Sequence, residues 1–257
     1  MTVKKSITLL LVLSIVAAGC TLFKPSLKSQ LVPMEMTFVP GGTFIMGDVF
    51  EEENDDSLPL HEVTLNDYYI GTYEVTYQQF DTFAELTDRS RPRDDGRGRG
   101  NRAVIYVDWY DAVDFCRAYG YRLPTEQEWE YAARSGGLNQ LFSGTSDPDS
   151  LTHYARYSDN SGAYTFDVGT KRPNDLGLYD MSGNVSEFVG DYYPFFKTDP
   201  DSIEYYPLDE RGMRVIRGGS FNSVPANVLR TYWRVGVLAE LGDHTLGFRC
   251  AVPADEK

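Results

Sequence analysis

Histidine is nearly absent from this chain: His61, His153 and His244 are scattered singly through 257 residues. A lone loop histidine is far more often hydrogen-bonded or exposed than a metal ligand. Cysteine is equally scarce, with Cys20, Cys116 and Cys250 only. No Walker motif, no GxSxG and no GxGxxG in a βαβ setting occurs, which removes the common nucleotide-binding and serine-hydrolase readings. Positive charge is in deficit, at a net −14, which argues against nucleic acid as a partner. Arginines do gather between Arg89 and Arg102, but Asp88, Asp94, Asp95 and three glycines dilute them. With no aromatic residue interleaved, that segment reads as a mobile, solvated loop rather than an RNA-binding one. The longest apolar run, residues 7–18, falls short of the roughly 20 residues that span a bilayer.

What that run does have is the right company. Lys4 and Lys5 precede it, and Ala17, Ala18 and Gly19 lead directly into Cys20. A basic start, a short apolar stretch and small residues make a secretory signal. The close of this signal resembles a bacterial lipobox, which implies lipidation of Cys20 as the mature N-terminus. Residues 1–19 are therefore expected as signal peptide, and 20–33, polar with proline and serine, as a tether. Such a protein would sit in the bacterial envelope, held by its N-terminal lipid, at the outer membrane or cell surface.

The remaining chain fits one large domain, expected over 34–253. Aromatic residues make up 14%, enough for a sizeable core. Cys116 and Cys250, an even pair in an exported chain, are either a disulfide closing a long loop or two buried free thiols. Residues 36–47 read as two short strands around Pro40-Gly41-Gly42, a hairpin signal. Residues 61–76 alternate as half-buried strands do. Helical spacing covers 77–86, with Thr76 as cap, and again 110–118. A third helix is expected over 126–134, with Thr125 and Glu128 forming a capping box. Glu126, Glu128 and Glu130 do not all converge at helical spacing, so capping and buried hydrogen bonds are expected of them rather than acid–base chemistry. Few helices, short strands and much glycine- and proline-punctuated loop define an irregular α+β domain.

Within this frame, RLPTEQEWEYAAR at 122–134 closely resembles a signature of the formylglycine-generating, or sulfatase-modifying factor, family. Further matches follow in order: 34–47, 61–80, LGLYDMSGNVSEF at 176–188, RGGSF at 217–221 and LGFRC at 246–250. Ser186 and Phe188 stand where the family has tryptophan. The resemblance implies a C-type-lectin-like fold, with a small twisted antiparallel sheet, two helices and long ordered loops. Enzymes of the family bind copper through two cysteines five residues apart after the RGGS motif. Ser223 and Val228 occupy those places here, and neither can supply the thiolate that Cu(I) prefers. The resemblance thus implies a non-catalytic member without a required cofactor. It also implies candidate structural calcium ligands at Asp180, Gly183, Val185 and Glu187, with an unmetallated turn as the alternative.

The segment 222–245, NSVPANVLRTYWRVGVLAELGDHT, follows neither a period of 2 nor one of 3.6. It lies between the RGGSF and LGFRC framework motifs. Its layout resembles the variable region of retroelement-diversified proteins built on lectin-like scaffolds, the treponemal variable proteins among them. That resemblance implies a variable, ligand-binding region over 217–249, with Ala226, Leu229, Arg230 and Arg234 as fixed anchors. In its first half the expected contact residues are Asn222, Ser223, Val224, Asn227, Val228, Tyr232 and Trp233. In its second half they are Val235, Val237, Leu238, Leu241, Asp243, His244 and Thr245. Rigid aromatic side chains on a stiff platform suit binding of a macromolecule, expected to be a protein. The alternatives are an enzyme with altered metal-dependent oxidative chemistry, or a structural envelope lipoprotein.

Overall fold

The computed structural model describes residues 25–51, 55–193, 212–224 and 226–257. The expected signal peptide over 1–19 and Cys20 lie outside the described residues. Among those described, no helix is long and apolar enough to cross a membrane.

Residues 25–33, expected as tether, are instead docked on the domain. Ser26 caps a short helix α1 (Leu27–Gln30). Leu31 is buried in the core, and the Tyr119 hydroxyl donates to the Val32 carbonyl at 2.7 Å. The next strands are β1 (Met36–Val39) and β2 (Gly42–Met46), where two short strands were expected, and β3 (His61–Leu65) and β4 (Tyr68–Gly71), which fill the alternating stretch 61–76 only as far as Gly71. The expected β1–β2 hairpin does not form: β1 pairs with β4 and β2 with β3, both antiparallel. The Pro-Gly-Gly turn passes the chain between two sheets, and the Gly41 amide donates to Asp67 Oδ1 at 2.7 Å. A Cβ at Gly41 would meet the Leu65 carbonyl at 2.4 Å, so glycine is required by the close approach.

Three helices are capped, two of them at the expected Thr76 and Thr125. Thr76 and Gln79 form a capping box on α2 (Tyr77–Leu86), and Asp108 caps α3 (Trp109–Ala118). Thr125 and Glu128 form the second box, on α4 (Glu126–Ala133). After the short α5 (Ser158–Ser161) come β5 (Ser186–Tyr192), β6 (Met213–Arg217), β7 (Arg234–Leu238), β8 (Leu246–Phe248) and β9 (Ala251–Pro253). Four of these make a sheet in the order β7-β6-β5-β8, with β5 and β8 parallel. β9 extends the first sheet beyond β4.

Two cores result. One is aromatic, where Phe115 meets Phe80, Phe83 and Phe248 at ring distances of 5.6, 5.3 and 5.3 Å. Cys116 at the end of α3 and Cys250 between β8 and β9 are joined as a disulfide, with Cα atoms 5.6 Å apart. The other core surrounds Trp129 of α4, with Val39, Tyr68, Ile70 and Val215.

Candidate functional site

The segment that follows β6 has almost no regular structure, yet its backbone is pinned at short intervals. Arg217, fully buried, reaches from β6 to Glu126 (2.9 Å) and Glu130 (2.6 Å) of α4. Its guanidinium also donates to the carbonyls of Thr231 and Tyr232. Arg234 grips Glu126 with two bonds, at 2.6 and 2.7 Å. Ser182 Oγ donates to the Leu229 carbonyl at 2.8 Å, and the Thr231 amide donates to that of Leu141 at 2.9 Å. Farther on, the amides of Trp109 and Tyr106 donate to the carbonyls of Ala239 and Asp243, each at 3.0 Å. A buried charge is tolerated only when paired and hydrogen-bonded, and Arg217 meets that condition by organising the segment's own carbonyls. Glu126 and Glu130 therefore converge on Arg217, while Glu128 pairs with Arg122 and completes its capping box. The acids of α4 are structural.

Between the pins, side chains are released to solvent. Val224 is 71% exposed, Leu238 61% and Leu241 43%, with Asn222 and Asn227 exposed beside them. Ser223, Val228, Trp233, Asp243, His244 and Thr245 are half-buried. Leu229, expected as an anchor, is fully buried, and Arg234 is held by Glu126. Tyr232 corrects the expectation: it is 1% exposed, with its ring beside Phe50, and belongs to the framework. Val235 and Val237 are half-buried against the aromatic core because β7 pairs with β6 and turns that face inward. They are at most marginal contacts.

Ser223 and Val228, which the sequence resemblance sets at the family's cysteine positions, both border Gly219. A Cβ on Gly219 (φ +66°) would meet the Val228 carbonyl at 2.8 Å and Ser223 Oγ at 3.0 Å. Ser223 Oγ accepts from the Ser220 amide at 2.8 Å. Neither a serine hydroxyl nor a valine side chain offers the soft thiolate that Cu(I) prefers.

At the expected calcium turn, the two carboxylates already have partners within the protein. Both oxygens of Glu187 are taken by Arg249 at 2.7 Å, and the Trp129 indole adds a bond at 2.9 Å. Asp180 accepts from the Gly169 amide at 2.7 Å. Two residues not singled out from sequence complete the cluster. Glu74 accepts from the Val185 amide at 3.0 Å and from Asn184, and fully buried Arg249 opposes all three acids. Burial pushes the Asp180 carboxyl up to about 6 and Glu74 well above the usual range. Three carboxyls thus share a single guanidinium, and burial favours the protonated form of Glu74 and Asp180. Among the described residues, no group of three or more His, Cys, Asp or Glu is arranged to hold a metal. The legible signal for Glu74 and Arg249 was a charged residue inside an otherwise apolar motif, YEVT and LGFRC.

The arginine segment also differs from expectation. Its residues are laid on rings from elsewhere in the chain: Arg99 on Tyr77, Arg93 on Tyr106 and Arg97 on Tyr164, at 4.5, 3.9 and 3.5 Å from the ring centroids. Arg99 also pairs with Asp81.

A buried framework holding an irregular, partly exposed segment is the arrangement of a C-type-lectin-like domain of the formylglycine-generating type. The chain belongs to the sulfatase-modifying factor enzyme 1-like domain family, whose pattern it matches over residues 23–254. It is 30% identical to a formylglycine-generating enzyme of Streptomyces coelicolor, across 84% of this chain and 88% of that one. It is 33% identical to the serine/threonine-protein kinase pkn1 of Chlamydia pneumoniae over 87% of this chain, but spans only 39% of that protein. Among solved structures, Treponema denticola variable protein 1 superposes with a TM-score of 0.71 at 28% identity, covering 86% of this chain and 96% of that one.

Proposed function

We propose that this protein is a lipid-anchored surface protein that binds a protein ligand through the side chains released between residues 222 and 245, and that it is not an enzyme. The observation that carries this reading is the alternation of backbone pins and exposed apolar side chains in a segment without periodicity. Val224, Leu238 and Leu241 are exposed on a backbone bonded to the framework on either side, so binding would cost little ordering entropy. Exposed aliphatic residues held in this way suit a partner surface. Replacement of both copper-ligand positions by Ser223 and Val228 supports the loss of oxidative chemistry, and the likeness to a variable protein supports diversification of the segment. Cys20 would carry the lipid.

Diversification is tested by sequencing the locus for a near-copy of the 217–249 coding segment beside a reverse transcriptase. Differences should fall at template adenines and in codons of exposed or half-buried residues such as Asn222, Val224, Asn227, Trp233, Leu238 and His244. They should spare Arg217, Leu229, Thr231 and Tyr232. Differences spread evenly over framework and segment, or no such copy, would overturn it. Lipidation is read separately, as incorporation of labelled palmitate that Cys20→Ser abolishes.

A further inference from the structure

The displayed segment has a neighbour. The Arg93 guanidinium lies 3.9 Å above the Tyr106 ring, Tyr106 meets His244 at 6.4 Å, and His244 meets Phe221 at 6.0 Å. The Phe221 carbonyl accepts from Ser161 Oγ at 2.7 Å. Three residues on, Tyr164 lies under Arg97 at 3.5 Å. Because Arg93 and Arg97 belong to one loop, these contacts close an arc that begins and ends on arginine and passes through the displayed segment at His244 and Phe221. Exposed Leu241 sits on the same side, since its neighbour Gly242 packs against the Tyr106 backbone.

Charge sets this arc apart. Residues 88–102 carry six arginines and three aspartates, a net of +3, so the rest of a chain at −14 carries −17. The loop's excess is offset by Asp81, Glu85, Asp111 and Asp114, which pair with Arg99, Arg91 and Arg89, so what it turns outward is the guanidinium groups of Arg93 and Arg97. Arg97 is exposed, and no ion pair is recorded for it among the described residues. Arg93 has only a 3.5 Å approach to Asp95 at 70% exposure. A guanidinium stacked on a ring engages its flat face, which leaves the N–H groups at its edge for a carboxylate fork. Stacking also holds the side chain in place, lowering the entropy lost when a partner docks.

We propose that Arg93 and Arg97 form a second, framework-encoded part of the binding surface, and that it takes an acidic segment of the partner protein. This rests on the display reading above. Asp94 and Asp95 interleave with the arginines, so a dense polyanion would meet like charge, whereas separated Asp or Glu side chains set among neutral groups would not. The exposed apolar residues alongside also suit a protein partner. Variation in the displayed segment would then choose among partners that share acidic patches.

The test uses the full chain in detergent micelles on arrayed synthetic peptides, each present in a Glu and a matched Gln version, with heparin and anionic vesicles alongside. Wild type should retain Glu peptides at least about tenfold over their Gln versions, a preference that fades as salt rises from about 50 to about 500 mM. Arg93→Gln with Arg97→Gln should remove the preference. Arg97→Lys should lose most of it, since an ammonium offers no planar fork. An unchanged preference in the double variant, no preference on any peptide pair, or heparin or vesicle binding as the activity lost would each overturn the proposal. Val224→Asp with Leu241→Asp separates the two readings. If it abolishes retention while the arginine variants do nothing, display stands and the acidic-partner inference falls. If it does nothing while the Glu preference still follows the arginines, the reverse holds.

Discussion

Replacing Asp180 by asparagine should stabilise the protein, by an amount that grows with pH. Asp180 is 3% exposed and has φ +57°, a region asparagine tolerates better than most residues. The amide oxygen can keep the bond from the Gly169 amide. What is lost is a carboxyl that burial raises from 3.8 to about 6, beside Glu187 and against the partial relief of Arg249. Because the folded state holds this proton more tightly than the unfolded chain, the group's contribution is intact below about pH 4 and is lost as pH rises through about 6. A difference of about two pH units amounts to roughly 3 kcal/mol. Asp180→Asn should therefore melt within about 2 °C of wild type at pH 4 but about 6–12 °C higher at pH 7, at 2–4 °C per kcal/mol for a domain this size. Thermal unfolding of both proteins followed by circular dichroism across that range is the assay. Parallel curves, or an asparagine variant less stable at pH 7, would refute the idea that three buried acids share one arginine.

Other outcomes follow from the same geometry. Tyr232→Ala should cost about 3–5 kcal/mol of stability, as expected of a buried aromatic. Leu238→Ala should stay within about 0.5 kcal/mol, as for an exposed site; equal effects in denaturant titrations would contradict the division between pins and released side chains. Replacing Cys116 and Cys250 by alanine should lower stability by about 5 kcal/mol in the chain-entropy model, given a separation of 134 residues. Addition of about 1 mM calcium should leave the melting temperature unchanged, because Glu187 is committed to Arg249. A rise of several degrees would mean that the carboxylates turn to the ion.

Much of the framework was legible because its signals are local. Thr76 and Thr125 cap the helices that follow them, since a cap needs only a side-chain oxygen and an amide two or three residues on. Alternation at 61–76 located β3 and β4 for the same reason. The family motifs placed Ser223 and Val228 in correspondence, and the fold brought both against Gly219.

What the residues alone determined, then, is the three main helices and the first four strands, the motifs that frame the chain, and the residues at the family's two cysteine positions. Tertiary structure decided the rest. A hairpin signal marks a turn but cannot name a partner, so β1 went to β4. An aperiodic segment offers no face to read, so only packing could bury Tyr232 and expose Leu238. The arginine loop carries no aromatic residue of its own, and its tyrosines arrive from distant positions. The charges of Glu74, Asp180, Glu187 and Arg249 meet only after the chain is closed. Each of these depends on contacts between residues far apart in sequence, where burial and pairing are properties of the assembled core rather than of neighbours along the chain.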